Sequence, residues 1–309
     1  MSILVVGSVA YDTLETPVGR REDILGGAAT HFSTAASFFT DVHLVGVVGD
    51  DFKAEHVEFL KGRGINLAGL EVVENGKTFR WSGHYLNDLN QAETRKTDLG
   101  VFADFDPKLS EHHRERPYLF LANINPELQL RVLEQMKRPT LTAMDTMNLW
   151  IDTTRSDLQK VIERVDMIFV NDAEARALSG KGNVTLAARK IMEWGPKTVV
   201  IKRGEHGALV YKGSMIFSAP ALPLAEVKDP TGAGDTFAGG FLGYLAKMGS
   251  LTDDDLKRAA VCGSVMASFQ VEDFGLDRLR HLTPREIDQR FETFCDLTSF
   301  GRKPVFGKG

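Results

Sequence analysis

The chain has 309 residues, of which 37 are Lys or Arg and 42 are Asp or Glu, for a formal net charge of −5. That balance offers no broad basic field to a nucleic-acid backbone or an anionic membrane, so neither is expected as a partner and a small molecule fits better. The length suits a single domain over 1–309, and the two cysteines, Cys262 and Cys295, form neither a disulfide framework nor a paired-cysteine metal motif, which points to a reducing compartment, the cytoplasm. Met1-Ser2-Ile3-Leu4-Val5-Val6-Gly7 has no positive n-region, and no later segment holds about 18 uninterrupted apolar residues. Neither export nor a membrane span is expected.

Short β-rich apolar runs recur along the chain, each followed by a longer amphipathic segment, which is the pattern of parallel βαβ units. Strands are expected at Ile3–Val6, Val42–Val48, Tyr118–Leu121, Thr140–Met144, Met167–Val170 and Thr198–Ile201. Helices are expected over Ala28–Phe39, Phe52–Arg63, Pro126–Lys137, Thr154–Val165, Ala173–Ser179 and Thr185–Trp194. A doubly wound sheet follows, and in such sheets ligands sit beyond the carboxyl ends of the strands. Asp12, Asn123, Asp145, Asn171 and Lys202 all fall there. Two segments, about 11–25 and 70–105, break the alternation with β-like patches such as Thr78–Tyr85 and no convincing helix. They are expected to form a small antiparallel sheet standing out from the main domain. The eight histidines show no metal-binding spacing, and His112-His113 sits in a charged run that reads as a solvated helix face or loop.

Four stretches carry candidate chemistry. Gly26-Gly27-Ala28-Ala29-Thr30-His31 opens a helix, and a turn alone accounts for the glycine pair. Asn171 and Glu174, three residues apart, have the spacing of a helix N-cap and its reciprocal partner, an arrangement that needs no chemistry. Lys202-Arg203-Gly204-Glu205-His206-Gly207 ends a strand with two glycines, as common in hairpins as in binding loops. The fourth, Asp229-Pro230-Thr231-Gly232-Ala233-Gly234-Asp235-Thr236-Phe237-Ala238-Gly239-Gly240-Phe241, combines a turn of small residues with a helix start. Free N–H groups at such a start, unobstructed at Gly232 and Gly234, suit a phosphate or a developing oxyanion. Asp235 beside them either caps the helix or takes a proton from an attacking hydroxyl.

This last stretch resembles the C-terminal signature of the ribokinase-like (PfkB) family of carbohydrate and nucleoside kinases. The resemblance implies a doubly wound, mostly parallel α/β sheet with helices on both faces, covered by a small β-sheet lid that often pairs with the lid of a second subunit, hence a homodimer. It implies ATP and Mg2+, and in some members K+. Asp235 then becomes the general base, the amides of Gly232, Ala233 and Gly234 hold the phosphoryl charge, and Asp229 stands near a monovalent-cation site. Asp12, Gly26 and Gly27 match acceptor-binding positions, with His31 where the family's asparagine usually stands. Asn171 and Glu174 match a motif that organises the magnesium and phosphate waters, Glu174 through water, while Gly204 and Gly207 match the nucleotide turn. Lys202 replaces a common threonine, either as a cation near the phosphates or as a solvated strand end, and the arginine often found after Asp145 is absent, so that segment is left outside the core site. Phe79, Trp81 and Tyr85 on the lid serve a subunit contact or pack the lid on its own domain, and Arg80 reaches the acceptor or the partner's lid.

The activity implied is in-line transfer of the γ-phosphoryl group of ATP to an alcohol, the hydroxymethyl group of a sugar, with a nucleoside acceptor as the alternative. A non-catalytic sugar sensor would not need Asp235 and the Gly232–Gly234 turn intact. A dinucleotide-dependent oxidoreductase would want Gly-x-Gly-x-x-Gly after the first strand, which Gly7-Ser8-Val9-Ala10 does not provide.

Overall fold

A computed structural model describes residues 1–86, 89–90 and 92–299. The last ten residues of the expected domain, 300–309, and residues 87, 88 and 91 of the expected lid segment lie outside them. The strands, in chain order, are β1 (Ser2–Val6), β2 (Ala10–Thr16), β3 (Gly19–Gly26), β4 (Asp41–Gly49), β5 (Asn66–Val73), β6 (Phe79–His84), β7 (Glu93–Asp98), β8 (Tyr118–Leu121), β9 (Leu141–Asp145), β10 (Met167–Asn171), β11 (Thr198–Lys202), β12 (Ala208–Lys212) and β13 (Met215–Ala219).

Nine of them form the main sheet in the order β13-β12-β11-β10-β9-β8-β1-β4-β5, parallel from β11 to β5 and antiparallel at β12 and β13. Both faces are covered, so neighbouring residues of one strand enter different cores. Ile3 and Val5 pack with Phe32, Phe120 and Phe241, whereas Leu4 and Val6 pack with Val132, Leu158 and Ile168. That is why these strands read as continuous apolar runs rather than alternating ones. The helix Ala233–Met248 lies so close to the helix Ala28–Ala36 that a Cβ at Gly239 would come within 2.4 Å of the Phe32 carbonyl oxygen. The two helices that begin at the Gly-Gly pair and at the Gly232 turn are therefore locked together.

The smaller sheet has the order β3-β2-β6-β7. It departs from the expected antiparallel arrangement in one pairing, β2 with β6, which is parallel. The segment expected from residue 70 also starts too early, because Leu70–Val73 end β5 of the main sheet, paired with β4. Arg80 of β6 is engaged within the chain. Its guanidinium pairs with Asp23 of β3 and, at 3.1 Å, with Asp51 beyond β4, and it lies 4.8 Å from the centre of the Tyr11 ring. Asp51 also accepts from the amide and hydroxyl of Thr78 at 2.8 and 2.7 Å, so this carboxylate fastens the lid to the main sheet. Phe79 stacks on Phe102, and Trp81 Nε1 donates to Thr94 at 3.2 Å. Both aromatics are engaged within the chain. His113 corrects another expectation: it is buried and its ring lies 5.7 Å from that of His43. No helix among the described residues is long and apolar enough to cross a membrane.

Candidate active site

Three adjacent parallel strands end together, and each ends on a polar side chain. Phe169 pairs with Asp145 and Asn171 with Lys202, which puts Asp145, Asn171 and Lys202 at the carboxyl ends of β9, β10 and β11. Lys202 Nζ donates to Asp145 Oδ2 at 2.6 Å, with only 17% and 4% of the two side chains exposed. Lys202 is thus not a solvated strand end, and its partner is Asp145, a residue left outside the core site on sequence grounds. The capping arrangement at Asn171 is complete: its side chain accepts from the Glu174 amide at 2.8 Å, and Glu174 Oε2 accepts from the Asn171 amide at 2.7 Å. The glycine turn that follows is the β11–β12 hairpin, closed by Arg203 N donating to the Gly207 carbonyl at 2.8 Å.

The glycine-rich stretch faces these strand ends. Gly232, at φ +70°, is the N-cap of the helix Ala233–Met248, and no side chain caps it. Asp235 therefore lies in the first turn and does not cap the helix. The amides of Gly232 and Gly234 find no acceptor among the described residues, whereas that of Ala233 donates to the Pro230 carbonyl at 3.2 Å. A Cβ at Gly234 would stand 2.9 Å from Lys202 Nζ, which fixes the lysine directly over this turn. Asp229, fully buried, accepts from the amides of Thr231 and Gly275, each at 2.8 Å, and so staples the start of the loop in place.

Asp12 of β2 is buried against the Gly-Gly pair. A Cβ at Gly26 would lie 1.9 Å from the Asp12 carboxylate, and Gly27 adopts φ +95° with Ser8 and Ala10 backbone where a side chain would go. Only glycine fits at position 27, and a side chain at position 26 would displace the Asp12 carboxylate. His31 is buried, and its ring fills the space over Gly232, 2.4 Å from where a Cβ would be. Tyr85, which follows β6, is buried and its hydroxyl accepts from Thr231 Oγ1 at 3.1 Å.

Carboxyls crowded out of water hold their protons. Burial raises Asp235 to about 8, with Asp145 adding and Lys202 opposing. Burial and then Asp229 raise Asp12 to about 7, and burial raises Glu174 to about 7 against the pull of Lys202. Burial lowers His31, His43 and His56 to about 4. Between roughly pH 4 and 6.5 the folded state binds extra protons on the carboxyls while the unfolded state binds them on the histidines, and the two oppose. From there to about pH 8 only the carboxyls act, the folded state binds more protons, and stability must fall as pH rises. The denaturant midpoint of the ligand-free protein is thus expected to decline between about pH 6.5 and 8, less steeply in Asp235→Asn. A midpoint constant across that window contradicts this.

No group of three His, Cys, Asp or Glu converges to hold a metal directly among the described residues. A magnesium that keeps much of its water shell and arrives on nucleotide phosphates needs only one or two carboxylates, and Glu174 beside Asp145 fits that requirement.

Residues 2–280 match the pfkB family of carbohydrate kinases. The chain belongs to that family. This PfkB kinase is 36% identical over 251 residues to the cytidine kinase of Thermococcus kodakarensis, covering 79% of this chain and 88% of that one. It is 26% identical over 287 residues to a nucleoside kinase of Methanothermobacter thermautotrophicus, covering 88% and 90%. Its fold is similar to that of Burkholderia thailandensis nucleoside kinase in complex with inosine, with a TM-score of 0.75, 21% identity and 94% and 97% of the two chains covered. Arabidopsis thaliana ribokinase complexed with ribose and ATP gives a TM-score of 0.75 at 20% identity over 94% and 98%. The ribokinase fold with its lid is thereby shown, and the PfkB kinase is an ATP-dependent phosphotransferase acting on a sugar or nucleoside alcohol.

Two site residues escaped the sequence reading. Asp145 was visible as a polar strand end, and the missing arginine downstream hid it. Tyr85 was visible only as a lid aromatic.

Proposed function

We propose that the enzyme transfers the γ-phosphoryl group of ATP to the 5′-hydroxymethyl group of a ribonucleoside, with Asp235 as the general base. The observation that carries this reading is that the turn opening the helix of Asp235 meets two half-sites, Gly234 closing on Lys202 Nζ and Gly232 on the ring of His31, in the helix that follows the Gly26-Gly27 pair. Asp12 and the Gly26-Gly27 backbone hold the acceptor, and neutral His31 supports the turn from below. The acceptor's hydroxyl gives its proton to Asp235 as the phosphoryl group moves in line toward it. Lys202 and the amides of Gly232 and Gly234 receive the charge that develops on the phosphoryl oxygens. Ala233 supplies its amide only if its bond to Pro230 opens. Magnesium, when bound with the nucleotide, neutralises phosphate charge, and Glu174 with Asn171 orients its water shell. Asn171, Gly204 and Gly207 border the nucleotide. A nucleoside is favoured over a free sugar by the cytidine and nucleoside kinases among the relatives.

A potassium ion beside Asp229 would have to share oxygens that already accept two amides, and turnover in K+ against Na+ salts tests it. The cytoplasm is the proposed location, in keeping with two unpaired cysteines. A homodimer through the lid would bury strand β7, all six residues of which are exposed, and light scattering reads the mass.

Thermal shift tests the binding half of the reading. Magnesium-ATP at about 100-fold excess over its Kd should stabilise the fold by about 2.7 kcal/mol, a shift of several degrees. Cytidine or inosine should add a further shift that ribose does not match. No shift at millimolar ATP overturns the nucleotide assignment, and equal shifts with ribose and nucleosides overturn the acceptor assignment.

A further inference from the structure

The loop that holds Thr231, Gly232 and Gly234 is fixed from several directions, and all but one of the ties come from the main domain. Asp229 accepts from the Thr231 amide at 2.8 Å and from the Gly275 amide at the same distance. Gln270 Nε2 donates to the Thr231 carbonyl at 3.1 Å, and the His31 ring packs against Gly232. The remaining tie comes from the lid. Tyr85 leaves β6 with its amide donating to the Glu15 carbonyl of β2 at 2.8 Å, its ring is 7% exposed, and its hydroxyl accepts from Thr231 Oγ1 at 3.1 Å. Strand β2 is also the strand that carries Asp12.

We propose that Tyr85 is a positioning residue: through its hydrogen bond to Thr231 it makes the placement of the phosphoryl-binding turn depend on the placement of the lid strand that holds the acceptor. The bond joins residues 146 positions apart in the chain, and the side chain of Thr231 immediately precedes the left-handed Gly232 that orients the free amides. Gly232, at φ +70°, has no side chain to restrict its backbone, so this turn relies on its contacts to hold that conformation. Removing a contact at Thr231 therefore lets Gly232 and Gly234 wander from the geometry that transition-state hydrogen bonds require, and a displacement of this kind costs turnover more than binding. Burial and the nearby Asp229 and Asp12 carboxyls raise the phenol, while the bond from Thr231 works against them, so Tyr85 stays neutral at working pH. The inference rests on the reading of Asp235 and the Gly232–Gly234 turn as the catalytic centre.

The test is a double-mutant cycle in steady-state kinetics on the full chain with magnesium-ATP and the accepted nucleoside. Tyr85→Phe keeps the ring and removes the hydroxyl, while Thr231→Val removes its partner. Each is expected to lower kcat by about 5- to 10-fold, the loss of one hydrogen bond, with the KM for ATP unchanged. The double variant should lose no more than either single one, since both remove the same interaction. Thr231→Ser, which keeps the hydroxyl, should restore kcat. Should Thr231→Val fold poorly, amide hydrogen exchange over residues 231–236 in Tyr85→Phe gives an independent readout, and faster exchange there is expected. The proposal is overturned by a kcat within twofold of wild type in Tyr85→Phe, by effects that multiply in the double variant, or by unchanged exchange over 231–236. Its failure is separable from failure of the catalytic reading: inactive Asp235→Asn with fully active Tyr85→Phe removes only Tyr85, whereas active Asp235→Asn removes the reading on which both depend.

Discussion

Asp235→Asn is expected to lower kcat by about 10²–10⁴ while the affinity for ATP and the melting temperature change little or rise. Asparagine keeps the shape of the side chain and its place in the first helical turn but cannot take a proton. The structure sharpens the comparison with a capping role, because the N-cap of this helix is Gly232 and no side chain caps it. Stability should not suffer for a second reason. Burial holds the Asp235 carboxyl at about 8, and the variant removes a group whose ionisation opposes folding in mildly alkaline solution. A more stable and far less active protein is the signature of a carboxylate kept for chemistry. A stable variant with near-wild-type turnover removes Asp235 from the role of base.

Lys202→Met is expected to damage both turnover and fold, for different reasons. Lys202 and Asp145 form a nearly buried pair at 2.6 Å, and removing one member of such a pair costs roughly 3–5 kcal/mol because the other charge is left without a partner. Adding Asp145→Asn should recover most of the stability. It should not recover kcat, which falls by about 10²–10³ when a preorganised donor to the phosphoryl oxygens is lost. Lys202 also draws the Asp235 carboxyl down, so the alkaline rise of kcat/KM should move to higher pH in the single variant. Turnover within threefold of wild type would make Lys202 a structural partner of Asp145 and nothing more.

What the sequence disclosed follows the range over which each signal acts. The buried parallel strands were legible because both faces are covered, so β1, β8 and β10 appear as unbroken apolar runs. The main-sheet strands β5, β12 and β13 were not expected; β5 and β13 leave exposed residues along their length, and β5 includes Asn66, Gly69 and Glu71. Motifs confined to a few neighbouring residues survived intact, as the Asn171–Glu174 reciprocal bonds and the Gly232 turn show. Contacts between distant segments did not. The partner of Lys202 lies 57 residues away and that of Tyr85 lies 146 away, and no local composition announces either. His113 was misread because a charged neighbourhood in sequence, Glu111 to Glu115, need not be a solvated one in space.

The most direct test of the central claim is identification of the product. Purified enzyme is incubated with magnesium-ATP and a panel of ribonucleosides, free sugars and sugar phosphates, and both ADP and the phosphorylated acceptor are quantified by mass spectrometry and 31P NMR. A nucleoside 5′-monophosphate formed one-for-one with ADP, and abolished in Asp235→Asn, is the predicted result. ADP released without any phosphorylated nucleoside, or phosphate found on a free sugar or sugar phosphate while every nucleoside stays unreacted, would contradict it.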